Sequence, residues 1–267
     1  MPVINAARAS ELFAAAMLAL LLSSAGNAQQ RQSGLGRPAE RIATHIETAR
    51  QLAGDDVTAP FEFFCISGNA RPNDPRAPAL EPARLFDNLY VLGNSETVVY
   101  AITTSEGIVL IDSGFAEEVE PIVVPALLRL GLDPADVKII LLGHGHADHY
   151  GGASYFQSRF GARVGTTERD WETIARSVDD PRYDGSPIPA KDLIVRDGEA
   201  ISLGATTITP VAIPGHTPGA LAFVFEVYDA GERHVAGLFG GTVLASAWVP
   251  LPGLEQYVES IAGFVEV

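Results

Sequence analysis

Short apolar runs follow one another along the middle of the chain, each bounded by Gly, Asn or Ser. Residues 85–92, 96–103 and 108–112 have the length and the boundaries that are typical of β-strands. Residues 116–130 follow a different pattern, because their apolar positions recur at helical spacing up to Gly131. That spacing predicts an amphipathic helix that ends at the glycine.

The alternation of strand-like and helix-like patterns continues to residue 239. A strand is predicted at 137–142, and helices at 153–160 and 169–176 enclose a short strand near Arg163. Further apolar runs predict strands at 193–196, 200–203, 206–213, 221–228 and 234–239. This order of elements predicts an α+β fold, in which two sheets stack face to face with helices outside as a four-layer αβ/βα sandwich.

The first residues carry the pattern of a secretory signal peptide. Arg8 precedes an apolar run at 12–22, and the small residues 23–28 follow it. This order predicts cleavage near Ala28 and a periplasmic or secreted mature protein. The alternative is a buried N-terminal helix. The run is too short to span a bilayer, and no cysteine stands near the cleavage point to carry a lipid anchor.

The remaining chain divides into two regions. Residues 29–84 are rich in polar residues and predict an N-terminal arm and linker, with one helix at about 39–53. Residues 85–267 are expected to form a single domain. Its last predicted element is a helix that begins near Leu254, because apolar residues recur at helical spacing from there to Phe264.

Charge and cysteine content narrow the classes of partner. The chain has 18 basic and 33 acidic residues and a formal net charge of -15. It offers no basic stripe that could release counterions from a phosphate backbone, so a small-molecule substrate is expected and nucleic acid is not. Cys65 is the only cysteine, so no intramolecular disulfide can form. Its apolar surroundings favour a packed side chain over a nucleophile, and the oligomeric state is left open.

A metal site is predicted directly after the strand at 137–142. His144, His146, Asp148 and His149 place three of the six histidines and a carboxylate within six residues. Imidazole and carboxylate are ligands that zinc accepts where no thiolate is offered. The alternative is a solvated polar turn.

His216 is the natural third ligand, because it lies in a turn bounded by Gly and Pro after another apolar run. With His144 and His146 it would form a three-histidine zinc site that leaves a fourth position open, as catalytic zinc sites do. The side chains of Asp148 and His149 would be directed toward a second zinc ion. A capping or core histidine is the alternative for His216, which stands alone in its turn.

The chemistry expected of such a site is hydrolysis. Zinc in an open site lowers the pKa of bound water and supplies hydroxide near neutral pH. Asp148 would orient that water and pass protons. Asp112, at the end of the strand at 108–112, either orients the ligand loop or is a simple turn residue in Asp-Ser-Gly.

The chain resembles the metallo-beta-lactamase fold hydrolases. The matching motifs are Ile-Asp-Ser-Gly at 111–114, the histidine motif with Tyr-Gly-Gly at 144–152, Gly-His-Thr-Pro-Gly at 215–219 and Leu-Phe-Gly-Gly-Thr at 238–242. The resemblance implies an αβ/βα sandwich with two zinc ions at one edge and hydrolysis of amides, esters, thioesters or lactones. It is closest to the class B beta-lactamases that have a His-x-His-x-Asp-His motif.

Position 242 carries threonine, where many thioesterases, lactonases and nucleases of the family place a metal-bridging aspartate and other beta-lactamases a ligand cysteine. Thr242 is therefore not expected to be a ligand. In the closest subclass a late histidine completes the second zinc site, and no histidine follows Thr242 here. We therefore expect the chain to lack its last strand, ligand loop and helix, which would leave the second site incomplete.

The expected activity is opening of a beta-lactam amide by zinc-bound hydroxide. A lactam carboxylate needs a cationic or hydroxyl anchor, and beyond Thr242 the chain offers Ser246 but no lysine. One alternative is hydrolysis of lactones, thioesters or other esters. Another is a metal-binding fragment without catalytic activity.

Overall fold

The computed structural model describes residues 38–55, 58–62, 77–179, 187–241 and 251–265. The chain divides into two compact units, one formed by residues 72–242 and the other by residues 1–71 and 243–267. The predicted signal peptide, Cys65, Thr242 and Ser246 lie outside the described residues. None of the helices described here is both long enough and apolar enough to cross a membrane.

The larger unit is built on two sheets. The first has seven strands in chain order, β1 to β7, and the second has four in the order β11-β10-β9-β8. Their bounds are β1 Ala83–Phe86, β2 Leu89–Gly93, β3 Val98–Thr104, β4 Gly107–Ile111, β5 Val137–Leu141, β6 Arg163–Thr166, β7 Leu193–Ile194, β8 Ile201–Leu203, β9 Thr206–Ala212, β10 Leu221–Asp229 and β11 Glu232–Phe239. Strands β1 to β4 pair antiparallel, and β4 to β7 pair parallel.

Two predicted strands need correction. The run at 85–92 is a hairpin, because Phe86 pairs with Leu89 across a two-residue Asp-Asn turn that reverses the chain. The run at 193–196 keeps only Leu193–Ile194 as strand, because its neighbour β6 ends at Thr166 and offers no further partner.

The helices are α1 Pro38–Ala53, α2 Thr58–Phe61, α3 Val124–Arg129, α4 Ala147–Tyr150, α5 Ala153–Phe160, α6 Glu168–Arg176 and α7 Leu251–Val265. The single helix predicted at 116–130 is wrong. It is divided into a 3-10 turn at Ala116–Glu118, a π turn at Val119–Val123 and α3. Pro121 and Pro125 lack the amide hydrogens that a continuous α-helix would use, so the division follows from the sequence.

The two sheets face each other across a shared core. Val109, Ile111 and Leu141, from β4 and β5, pack in one cluster with Phe223 of β10. The intervening residues of the same strands pack in a second cluster with α5 and α6 on the opposite face. Burial on both faces explains the continuous apolar runs of β4 and β5. The predicted pair of stacked sheets with helices outside is confirmed.

The second unit contributes α1, α2 and α7. Ala49, Ala53 and Phe61 form a small apolar cluster with Ile46, and the Arg50 guanidinium lies 5.3 Å from the ring centroid of Phe61. The helix predicted at about 39–53 is confirmed as α1. The last predicted helix is present, and it begins at Leu251 rather than near Leu254.

Candidate metal centre

The predicted site residues lie where the parallel strands of the first sheet end. Asp112 directly follows β4, and the histidine motif follows β5, the parallel neighbour of β4. Parallel strands present their carboxyl ends at one edge of a sheet, which is where open α/β sheets place ligands. His216 arrives at the same place from the loop between β9 and β10.

Three histidines converge on one point. The Nε2 atom of His216 lies 3.0 Å from Nε2 of His144 and 3.2 Å from Nδ1 of His146. Zinc–nitrogen bonds of about 2.0–2.1 Å in a tetrahedral site place ligand nitrogens about 3.3 Å apart. The spacing of these nitrogens therefore fits a divalent metal ion held by three imidazoles.

The tautomer of His144 also fits a metal ligand. Its Nδ1 atom lies 2.6 Å from the carbonyl oxygen of Gly240, which can only accept, so Nδ1 carries the proton. Burial, with the neighbouring His149, His216 and His146, holds the pKa of His144 well below its ordinary value. The ring is therefore neutral, and its Nε2 atom directs a lone pair toward His216.

A second group of candidate ligands shares His144. Ligand atoms of His144, Asp148 and His149 lie within 4.8 Å of one another. The rings of His144 and His149 are 3.8 Å apart at their centroids, and Nε2 of His149 lies 3.4 Å from Oδ2 of Asp148. The two groups are therefore adjacent, and the one free nitrogen of His144, Nε2, can bind an ion in only one of them.

Asp112 contacts both ends of the histidine motif. Its Oδ2 atom lies 2.8 Å from Nδ1 of His149, and its Oδ1 atom accepts a 2.7 Å hydrogen bond from the amide of Gly143. The backbone of Asp112 has a positive φ of 62°, which Asp tolerates better than most residues. Asp112 was interpreted either as a residue that orients the ligand loop or as a simple turn residue, and this geometry favours the first interpretation.

Opposing effects act on His149. Burial lowers the pKa of His149, and the carboxylates of Asp112 and Asp148 outweigh it, so that the pKa lies well above its ordinary value. The ring nitrogen that faces Asp148 therefore holds a proton near neutral pH in the metal-free protein. A metal ion that uses this nitrogen must displace that proton.

Close backbone packing brings the loop after β5 against the end of β11. A Cβ atom at Gly240 would lie 2.1 Å from the carbonyl oxygen of Leu221, and one at Gly143 would lie 2.8 Å from Cα of Gly240. The amide of Leu221 donates to the carbonyl of Gly143 at 2.8 Å. Only glycine permits this approach, which brings the Gly240 carbonyl to His144.

Two contributors were missed by the sequence analysis. One is the Gly240 carbonyl, because the Gly-Gly-Thr motif draws attention to the side chain at position 242 and not to a backbone oxygen. The other is Asp170 of α6, a buried carboxyl that accepts bonds from Gly145 and Thr217. Nothing in the sequence distinguishes Asp170 from the charged residues around it. His234 lies elsewhere, with its ring 6.4 Å from that of Phe86, as expected for a histidine outside the site.

Curated proteins with similar sequences include several named hydroxyacylglutathione hydrolase. A hydroxyacylglutathione hydrolase of Rhodopseudomonas palustris (strain BisB18) is 31% identical over 116 residues, which are 43% of this chain and 40% of that protein. A hydroxyacylglutathione hydrolase of Haemophilus influenzae is 31% identical over 116 residues, 41% of this chain and 50% of that protein. The chain thus spans half or less of the length of these relatives.

Solved structures with the same fold cover more of the chain. A subclass B3 metallo-beta-lactamase of Bradyrhizobium japonicum has a TM-score of 0.61 and 31% identity, covering 70% of this chain and 72% of that one. The native metallo-beta-lactamase of Legionella gormanii has a TM-score of 0.61 and 28% identity, covering 71% of this chain and 77% of that one. The profile of the metallo-beta-lactamase superfamily matches residues 92–230, more than half of the chain. The chain therefore belongs to the metallo-beta-lactamase superfamily.

Proposed function

We propose that this protein is a zinc-dependent hydrolase that opens the amide bond of a beta-lactam ring. The observation that carries the proposal is the convergence of three histidines. The Nε2 atom of His216 lies 3.0 Å from Nε2 of His144 and 3.2 Å from Nδ1 of His146. The fold around this group is similar to that of a subclass B3 metallo-beta-lactamase over 70% of the chain.

Two zinc ions fit the two groups of candidate ligands. His144, His146 and His216 would hold the first ion, and Asp148 and His149 would hold the second beside His144. Bound zinc supplies Lewis acidity, which activates water for attack and polarises the carbonyl of the substrate. The Gly240 carbonyl and the Asp112 carboxylate orient the rings of His144 and His149.

Asp148 is the residue that moves the proton. Its side chain is 15% exposed, so it is partly shielded from water while it remains within reach of a bound substrate. In the proposed hydrolysis, a water oxygen bonds to the carbonyl carbon of the lactam and the carbon–nitrogen bond breaks. The Asp148 carboxylate accepts the proton that the water loses and delivers it to the departing nitrogen.

A glutathione thioester is the second candidate substrate. The curated relatives named hydroxyacylglutathione hydrolase favour it, at 31% identity over 41–43% of the chain. Two observations favour the lactam instead. The lactamase structures cover more of the chain, and position 242 carries threonine in place of the bridging aspartate that family resemblance associates with thioesterases.

The test is hydrolysis by the zinc-loaded protein of three substrates in parallel: a chromogenic cephalosporin, a hydroxyacylglutathione thioester and an aliphatic lactone. The proposal predicts the highest kcat/KM for the cephalosporin. His216→Ala should abolish turnover, and His234→Ala, a change of the same type away from the site, should retain it.

Two results would contradict this proposal. Cephalosporin left intact while the thioester is cleaved would assign the protein to the second candidate. A folded protein that cleaves none of the three and retains at most one tightly bound zinc ion would support a metal-binding role without catalysis.

A further inference from the structure

The candidate ligands reach the metal centre on two separate segments. His144 and His146 follow β5, and His216 lies about seventy residues later, between β9 and β10. A three-histidine site works only if these segments keep a fixed spacing, because metal affinity depends on how well the ligand atoms are placed in advance.

The carboxyl group of Asp170 bonds to both segments. Its Oδ2 atom accepts from the amide of Gly145 at 3.0 Å and from the Thr217 hydroxyl at 2.7 Å. Its Oδ1 atom accepts from the amide of Gly219 at 3.1 Å. Gly145 stands between His144 and His146, and Thr217 directly follows His216. One buried side chain therefore joins positions adjacent to all three candidate ligands.

Asp170 is itself held in place by the helix that carries it. Thr167 caps α6 by accepting from the amide of Asp170 at 3.2 Å, and its hydroxyl donates to the carbonyl of Gly219 at 2.9 Å. The next residue, Trp171, donates from its ring nitrogen to the carbonyl of Leu193 at 2.9 Å. Near the other end of α6, the Ser177 hydroxyl is 2.6 Å from that of Tyr150, the residue after His149.

Glycine is required where the two segments meet α6. A Cβ atom at Gly145 would lie 2.9 Å from the carbonyl oxygen of Asp170, and one at Gly219 would lie 2.0 Å from Oγ1 of Thr167. Both segments are therefore packed backbone-to-helix against α6. Burial raises the pKa of Asp170 above its ordinary value, and the hydroxyl and amide donors oppose that shift by stabilising the buried carboxylate.

We propose that Asp170 is a positioning residue that sets the distance between His216 and the pair His144 and His146, and thereby the affinity of the three-histidine site for zinc. The inference rests on the proposed zinc site and not on the identity of the substrate. Asp170 acts through its hydrogen bonds to Gly145, Thr217 and Gly219.

The test is zinc affinity of the folded full chain, measured by competition with a chromophoric chelator, for Asp170→Asn and Thr217→Val. Loss of partners that orient ligands costs about 10–100-fold in metal affinity. We expect a weakening in that range for Asp170→Asn, and a smaller one for Thr217→Val, which removes one bond. The absorption spectrum of the cobalt-substituted protein should change as well, because it reports the geometry of the three nitrogens.

The matched control is Glu172→Gln on the same helix, whose side chain is 61% exposed and pairs with Arg176. It should leave zinc affinity and the cobalt spectrum unchanged. A purely structural role for Asp170 predicts a lower melting temperature of the metal-free variant with wild-type zinc affinity and cobalt spectrum, and that result would overturn the proposal. Should Asp170→Asn fail to fold, Thr217→Val decides by the same criteria.

The outcome is separable from that of the proposed function. If the wild-type protein binds zinc and leaves lactams intact, the proposed activity fails, and the affinities of the variants still decide the role of Asp170. If the wild-type protein binds no zinc at the three-histidine site, both proposals are wrong.

Discussion

The two segments that form the metal centre differ in how they are held. The segment at residues 144–149 carries four candidate ligands and is fixed at one side by Asp112, which contacts the ring of His149 directly. The segment at residues 215–219 carries one candidate ligand, and Asp170 holds it through a hydroxyl and an amide. Both carboxyl groups are buried, with exposed fractions of 6% for Asp112 and 0% for Asp170.

The number of candidate ligands in a segment and the precision with which they are placed are therefore separate properties. Four ligands within six residues stay close together under almost any local conformation, so only the orientation of their loop has to be fixed. A single histidine from a distant loop is not kept close to the other ligands by the chain itself. Its position depends entirely on contacts with the rest of the fold, which is why His216 is linked to the first segment through α6.

The largest effect is expected at the ligands of the three-histidine group. His144→Ala should remove the ion that this group holds and lower hydrolysis by more than about a hundredfold, since loss of a ligand exceeds the cost of losing its support. His216→Ala should act in the same way, and both variants should leave Asp148 and His149 in place for one weakly bound ion. Zinc stoichiometry by mass spectrometry, with turnover rates, checks both variants. Two tightly bound ions in His144→Ala would contradict its assignment as a ligand.

A smaller effect is expected at Asp112. Asp112→Asn keeps the shape of the side chain and replaces the carboxylate that orients the His149 ring through Nδ1, so zinc affinity of the second group should fall about 10–100-fold. Asp136→Asn is the control, because its side chain is 62% exposed and lies in a turn before β5. Titration calorimetry measures both. Equal zinc affinity of the two variants would contradict an orienting role for Asp112.

The glycine contact beneath the centre is expected to affect stability. Gly240→Ala should destabilise the fold by about 1–3 kcal/mol, because its Cβ atom would meet the Leu221 carbonyl at 2.1 Å. Gly263→Ala in α7 meets nothing within 4 Å and should be neutral or stabilising by up to about 1 kcal/mol. Urea unfolding of the metal-free proteins gives both values. A neutral Gly240→Ala would mean that the backbones can separate without cost.

The smallest effect is a pH dependence at His149 of the first segment. The pKa of His149 is raised in the folded protein, so its stabilisation is present below the unfolded pKa of about 6.5 and is lost as pH rises through the folded value. The lowered pKa of His144 changes the folding stability only below about pH 6.5. In metal-free protein, the stability difference between wild type and His149→Gln should therefore shrink as pH rises above about 6.5. A difference that grows with pH would reverse the assigned direction.

Local patterns accounted for most of the fold. The continuous apolar runs of β4 and β5 and the helical spacing on α5 and α6 can be recognised along the sequence, because each pattern spans only one element. Two of the errors occurred where a short polar pair or a proline interrupts an apolar pattern, and the third where the neighbouring strand β6 ends. The two-residue turn before Leu89 and the prolines at 121 and 125 divided elements that hydrophobicity alone had joined.

The local sequence predicts the chemistry of the centre, since the crowding of His144, His146, Asp148 and His149 after an apolar strand is typical of metal binding. The distant groups that support this centre could not be predicted, because they depend on packing. The Gly240 carbonyl and the Asp170 carboxyl act on segments far from them in sequence, through hydrogen bonds that exist only once β11 and α6 have packed. The residue types of a motif indicate which ion it can bind, and the packing of the fold sets the distances between the ligand atoms.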